Sequence, residues 1–297
     1  MLKELKTVID ESKIKTNIPM SSYTTFKTGG NADIMLFPTS AEELKNVVKF
    51  FYKSKVSYYV LGNGSNLLVS DGGIKKPIIC LGRNFNSIEL FDNCITAKAG
   101  AYLSSIAKKA AQAALTGFEF AAGIPGTLGG ALIMNAGAYG GEMKDVVEAV
   151  SFIDPSGEEH IASGEEMEFG YRSSALSDTE CIITGATIKL NYGIQSDINE
   201  RMSELSFKRR EKQPLEYPSA GSTFKRPAGY FAGALIESCG LKGRTIGGAQ
   251  VSEKHAGFII NKGCATTKDI CDLIDCVKQT VYDTHGVMLE TEVKYWD

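Results

Sequence analysis

Two glycine-rich stretches offer backbone where other segments offer side chains. Leu61 to Asn66 reads L-G-N-G-S-N, directly after the apolar run Val56 to Leu61, and Ala121 to Gly141 reads A-A-G-I-P-G-T-L-G-G-A-L-I-M-N-A-G-A-Y-G-G. A strand running into Gly62, Asn63, Gly64, Ser65 and Asn66 turns tightly enough to aim successive N–H groups at one point. The Asn and Ser side chains add donors, so the turn can cradle an anion. The longer run interleaves its glycines with Ile124, Leu128, Leu132, Ile133 and Met134. That is unlike a polar Gly/Ser linker, and it implies a backbone packed against something flat and large. Two such nests together suit a diphosphate. Neither is a common nucleotide fingerprint, because the chain has no G-x-G-x-x-G and no G-x-x-x-x-G-K-[ST].

Four further places carry chemistry-bearing side chains. Arg172 stands in F-G-Y-R-S-S, where a guanidinium can grip a carboxylate with two hydrogen bonds or simply sit in solvent. Ser222, in S-A-G-S-T-F-K-R-P, has its hydroxyl exposed by Gly221; the pattern is not G-x-S-x-G, so no acyl-transfer nucleophile elbow is indicated. Glu290 and Glu292 share one face of an expected strand, close enough that one carboxyl can be kept protonated, unless the pair is a solvent-facing edge. Lys208, Arg209, Arg210 and Lys212 can meet phosphates or complement a helix C-terminus.

The elements that must position these groups follow from periodicity. Ser40 to Glu43 reads as a capping box opening a helix with Leu44, Val47, Val48 and Phe51 on one face. The strand through Val60 then leads into the first nest. Leu103, Ile106, Ala107 and Ala110 mark a second helix, expected to close at Gly117 just before the long glycine run. Strands are expected at Ala149 to Ile153 and Glu158 to Ile161, joined by the turn Asp154-Pro155-Ser156-Gly157, and at Cys181 to Leu190. A polar helix from about Ser196, with Ile198, Met202 and Leu205 inward, is stopped by Pro214. The last hundred residues alternate: helix Tyr230 to Cys239, strand Gly257 to Ile260, helix Thr266 to Thr284, strand Val287 to Tyr295, a small α+β unit.

Composition excludes several classes. With 297 residues the chain can bury a large core in two or three domains, and 43% apolar with 23% charged residues argues against disorder. A net charge of −3 gives no footprint for nucleic acid or an acidic membrane, and neither a signal peptide nor a membrane-length apolar run is visible, so a cytoplasmic protein is expected. Seven scattered cysteines without C-x-x-C fit that compartment. Three distant histidines without H-E-x-x-H leave no metal site.

Taken in order, G-N-G-S-N, A-G-I-P-G-T-L-G-G-A with M-N-A-G-A-Y-G, Y-R-S-S, K-Q-P with S-A-G-S-T-F-K, and L-E-T-E-V, the chain resembles the UDP-N-acetylenolpyruvoylglucosamine reductase family from end to end. The resemblance implies an α+β protein with two FAD-binding subdomains of the vanillyl-alcohol-oxidase (PCMH) type, at 1–85 and 86–193. A smaller α+β substrate-binding domain follows at 194–297. It implies that Gly62, Asn63, Gly64, Ser65, Asn66, Gly123, Ile124, Pro125, Gly126, Thr127, Asn135, Ala136, Gly137 and Ala138 lie on FAD. No histidine or cysteine occurs in either glycine motif, so the flavin is expected to be non-covalent.

The implied reaction takes a hydride from NADPH by way of FAD to an enolpyruvyl ether of a UDP-sugar, a step in peptidoglycan precursor synthesis. The partner is thus a small molecule, with no obligate protein partner. The family motif assigns Arg172 and Glu292 to stabilising the enolate and Ser222 to giving the proton. Glu292 is preferred to Glu290 because the family's acid precedes the valine of L-E-x-E-V, and it is expected to work protonated. Arg209 and Lys212 fall in the family's basic segment and are candidates for the UDP diphosphate. One departure is that the interval between Leu190 and Lys212 is too short for the tyrosine-bearing loop that closes over substrate in a subclass of the family.

Overall fold

The computed structural model describes residues 1–82 and 84–297. They form two compact units, neither of them continuous: one comprises residues 1–15, 34–63 and 76–208, the other 16–33, 64–75 and 209–297.

In the first unit, Met35 and Leu36 pair parallel with Ile78 and Ile79, and Tyr59–Leu61 lies parallel to Ile78–Cys80 on the other side. The crossover is the Ala41–Ser54 helix, which buries Leu44, Val47, Val48 and Phe51, the expected stripe. Burying each such side chain contributes about 1.5–3 kcal/mol. Ser40 accepts the Glu43 N–H at 3.1 Å. Only half of the expected capping box forms, because the Glu43 carboxylate takes the Thr39 N–H at 2.8 Å and pairs with Lys13.

A five-stranded antiparallel sheet follows, in the order Glu159–Ser163, Val147–Ile153, Ile182–Lys189, Cys94–Lys98, Ile88–Phe91. The Asp154 carboxylate ties the turn between the first two of these by accepting the N–H groups of Ser156 and Glu158. The short Leu128–Ile133 helix packs on the Ile182–Lys189 strand. Leu103, Ile106, Leu128, Leu132, Val150 and Ile188 share one core. The Leu103–Gln112 helix ends earlier than expected: Ala114 takes the left-handed turn at φ +54, and Gly117 instead sits in a bend whose N–H is held by Glu119.

The second unit is built on the Thr267–His285 helix, which buries Ile270, Leu273, Ile274, Val277 and Val281. Thr266 and Asp269 form a reciprocal capping box, and the Asp71 carboxylate accepts the N–H groups of Thr267 and Lys268, both at 2.9 Å. Thr245–Ile246, Ala249–Val251 and Ile259–Asn261 form an antiparallel sheet. The expected helix from Tyr230 contracts to Ala232–Ser238. The expected strand Val287 to Tyr295 is regular only at Lys294–Trp296, which pairs parallel with Leu67–Val69. Before it, a single bridge joins Thr291 to Phe224.

The expected cuts at 85 and 193 follow chain order, whereas the compact units do not. Residues 64–75 group with 209–297 because Leu67–Val69 finds its sheet partner there. Among the described residues no helix is long and apolar enough to cross a membrane.

Candidate active site

The two glycine motifs meet within the first unit. Asn63 donates its side-chain N–H to the Pro125 carbonyl at 2.6 Å, and a Cβ on Gly62 would stand 2.3 Å from Thr127 Oγ1. Gly123 and Pro125 are exposed, while Thr127 is buried. Two adjacent backbone edges, poor in side chains, fit a dinucleotide diphosphate laid along them. The Asn63 amide locks one motif to the other through one of its two N–H groups.

In the second unit, Gly64 has φ +61, and a Cβ there would lie 2.0 Å from the Tyr23 carbonyl oxygen. Its backbone carbonyl accepts the Thr25 N–H at 3.1 Å. Glycine is therefore demanded here by the protein's own backbone. Asn66 donates from its side chain to the Glu292 carbonyl at 3.1 Å and accepts the Lys294 N–H at 3.0 Å. Its amide fixes the segment that bears Glu292.

The segment that follows Ser222 pairs by its backbone with the segment that carries Glu290 and Glu292. The Glu292 N–H donates to the Thr223 carbonyl and the Lys225 N–H to the Glu290 carbonyl, each at 2.8 Å. Thr223 is fully buried, its N–H bonded to the Gly257 carbonyl and its hydroxyl accepting the Ile259 N–H. Thr223 thus faces inward opposite Glu292 while its neighbour Ser222 is exposed beside Gly221, φ +76. The two glutamates separate in environment: Glu290 is exposed and paired with Lys225 at 3.1 Å, whereas Glu292 is half-buried. The Gly257 turn rests on His255, whose Nδ1 accepts the Gly257 N–H at 3.1 Å; burial pushes this imidazole below its ordinary value.

Arg172 sits in the first unit at φ +55, in a turn closed by the Gly170 N–H to the Ser173 carbonyl at 3.1 Å. Its guanidinium carbon lies 5.3 Å from the Tyr171 ring centre, a cation–π distance. The Asn135 to Ala138 segment lies beside this turn. Asn135 is buried, with its side chain bonded to Gly170, Glu142 and Lys144. No local signal announces this bonding, because M-N-A-G reads simply as part of a glycine run. Gly137 leaves room for Glu142, whose Cγ a Cβ would approach to 2.7 Å. Arg209, half-buried, and Lys212, exposed, are in the last turn of the Gln195–Lys212 helix. Only the two-residue strand Asn191–Tyr192 separates the Ile182–Lys189 strand from that helix region. Among the described residues no group of three His, Cys, Asp or Glu side chains gathers as a metal site.

Residues 32–163 match a family model described as an FAD binding domain, and residues 213–296 one described as the C-terminal domain of UDP-N-acetylenolpyruvoylglucosamine reductase. The solved UDP-N-acetylenolpyruvylglucosamine reductase of Thermus caldophilus superposes with a TM-score of 0.82 at 37% identity, covering 96% of this chain and 98% of that one. A Phl p 4 variant described as a glucose oxidase shares the fold alone, at a TM-score of 0.50 and 16% identity over 65% of this chain and 44% of that one. The matched models and the solved reductase define an FAD-containing oxidoreductase with an α+β C-terminal domain.

Relatives named UDP-N-acetylenolpyruvoylglucosamine reductase are similar along nearly their whole length. That of Clostridioides difficile is 51% identical, over 98% of this chain and 95% of the relative, and that of Caldanaerobacter subterraneus is 50% identical, over 99% and 97%. The chain belongs to the UDP-N-acetylenolpyruvoylglucosamine reductase family.

Proposed function

We propose that this protein reduces UDP-N-acetylenolpyruvoylglucosamine to UDP-N-acetylmuramate, a peptidoglycan precursor, with NADPH as reductant and non-covalent FAD. The observation that carries the reading is the backbone pairing of Thr223, the neighbour of an exposed Ser222, with a half-buried Glu292, in a chain whose relatives bear that enzyme's name. The backbone of Gly62 to Asn66, Gly123 to Thr127 and Asn135 to Ala138 holds the cofactor, within a division into FAD-binding subdomains 1–85 and 86–193 and a substrate-binding domain 194–297.

Bound FAD supplies hydride chemistry that no side chain can. The residues handle charge and protons. Addition of hydride at the terminal carbon of the enolpyruvyl group drives negative charge into its carboxylate. Arg172 binds that carboxylate with its fork of donors, and Glu292, protonated, donates a hydrogen bond to the developing enolate. Ser222 delivers the proton to the carbon bearing the carboxylate. Arg209 and Lys212 bind the UDP diphosphate.

Anaerobic mixing tests this reading. NADPH should bleach the yellow protein, and the UDP-enolpyruvyl sugar should restore the colour faster than air does. A protein that reoxidises rapidly with air and ignores the sugar is instead an FAD-dependent oxidase of the same fold. A colourless protein that takes up no FAD overturns the proposal altogether.

A further inference from the structure

Asn135 stands within a segment expected to touch the cofactor, yet its side chain is wholly engaged elsewhere. The residue is 1% exposed and holds a left-handed backbone at φ +42. Its amide nitrogen donates to the Gly170 carbonyl and to Glu142 Oε2, each at 3.0 Å, and its amide oxygen accepts the Lys144 N–H, also at 3.0 Å. Both N–H bonds and one acceptor site are filled, as a buried carboxamide requires.

Two of these partners bear on Arg172. Gly170 opens the turn that carries Arg172, and the Gly170 carbonyl is shared between Asn135 and the Ser173 N–H that closes that turn. A left-handed, non-glycine residue such as Arg172 is strained, and persists only where its surroundings fix it. Glu142 is a carboxylate in the field of the Arg172 guanidinium. Its ion pair with Lys144 at 2.8 Å, the Asn135 bond and the Arg172 charge hold it below the ordinary carboxylate range, against some burial. The hydroxyls of Ser174 and Ser177 both donate to the Ile133 carbonyl, so the chain on either side of the Asn135 contact is clamped too.

We propose that Asn135 is a positioning residue for Arg172, setting the turn and the neighbouring carboxylate that aim the guanidinium at a substrate carboxylate. This rests on the reading that Arg172 binds that carboxylate. The side chain must be an amide of this length. Aspartate loses both donors and meets Glu142 with a like charge, while alanine leaves the Glu142 and Gly170 acceptors without it.

The test separates the two half-reactions in Asn135→Ala, Asn135→Asp, Arg172→Ala and the double variant Asn135→Asp with Glu142→Gln. Misplacing a binding group by about 1 Å can cost up to about 100-fold, so Asn135→Ala and Asn135→Asp should slow sugar reduction at least about tenfold and weaken sugar binding to the oxidised enzyme, read as a change in the flavin spectrum. Bleaching by NADPH, taken per mole of bound FAD, should fall by less than sugar reduction does in both variants, since the turn that carries Arg172 is what moves. In the double variant the bond to position 142 re-forms with its direction reversed, so part of the sugar step should return.

Sugar binding and reduction at wild-type strength in Asn135→Ala, alongside a crippled Arg172→Ala, overturns the inference. So does equal loss of both half-reactions. Should Asn135→Ala not fold, the double variant decides: no recovery over Asn135→Asp overturns the inference as well. Wild-type sugar reduction in Arg172→Ala instead removes the reading of Arg172 itself.

Discussion

At the scale of single residues, the environments of Glu290 and Glu292 differ enough to rank them. Glu290 is exposed and paired with Lys225, while Glu292 is half-buried with its backbone fastened to Thr223 and Asn66. Glu292→Gln should therefore slow sugar reduction far more than Glu290→Gln, by about 100-fold against less than threefold if one transition-state hydrogen bond is at stake; stopped-flow reoxidation of reduced enzyme reads both, and the reverse ranking moves the role to Glu290. Ser222→Ala should leave NADPH bleaching intact and stall the sugar step. At Gly64 the left-handed φ and the Tyr23 carbonyl 2.0 Å from any Cβ predict that Gly64→Ala displaces the loop, at a cost above about 1 kcal/mol. The flavin-to-protein absorbance ratio of the purified variant should fall.

At the scale of elements, two supports invite measurement. The Asp71 carboxylate caps the Thr267–His285 helix from outside it, so Asp71→Ala should lower stability by about 1–2 kcal/mol, visible as a lower denaturant midpoint. His255 is held below its ordinary value of 6.5 chiefly by burial, with nearby Lys242 and Lys212 acting in the same direction and Glu237 against. An imidazole so held binds its proton more readily in the unfolded chain. Its contribution is then complete above pH 6.5 and is lost as pH falls through 6.5 towards the lower folded value. His255→Gln should flatten that part of the stability profile.

These elements also show what could be read in advance. The Ala41–Ser54 stripe was legible because a helix writes its period locally. The strand expected from Val287 was only partly so, since its regular pairing depends on Leu67–Val69, far away in the chain. The side-chain bonding of Asn135 was not legible at all, because Gly170 lies 35 positions on and only the folded backbone brings it near.

At the scale of the whole molecule, the second unit draws on three separated stretches of chain. Residues 194–297 alone lack Phe26 and Leu68 from their core, the Asp71 cap and the partner of Lys294–Trp296. That fragment should melt without a cooperative transition by circular dichroism, whereas the complete chain should unfold cooperatively.

The bond from Asn66 to Glu292 spans 226 positions, and Leu67, Leu68 and Val69 follow directly after it. During synthesis those three apolar residues leave the ribosome long before their neighbours in the sheet exist. The nascent polypeptide must shelter a sticky edge through most of translation, and refolding from denaturant should be correspondingly slow.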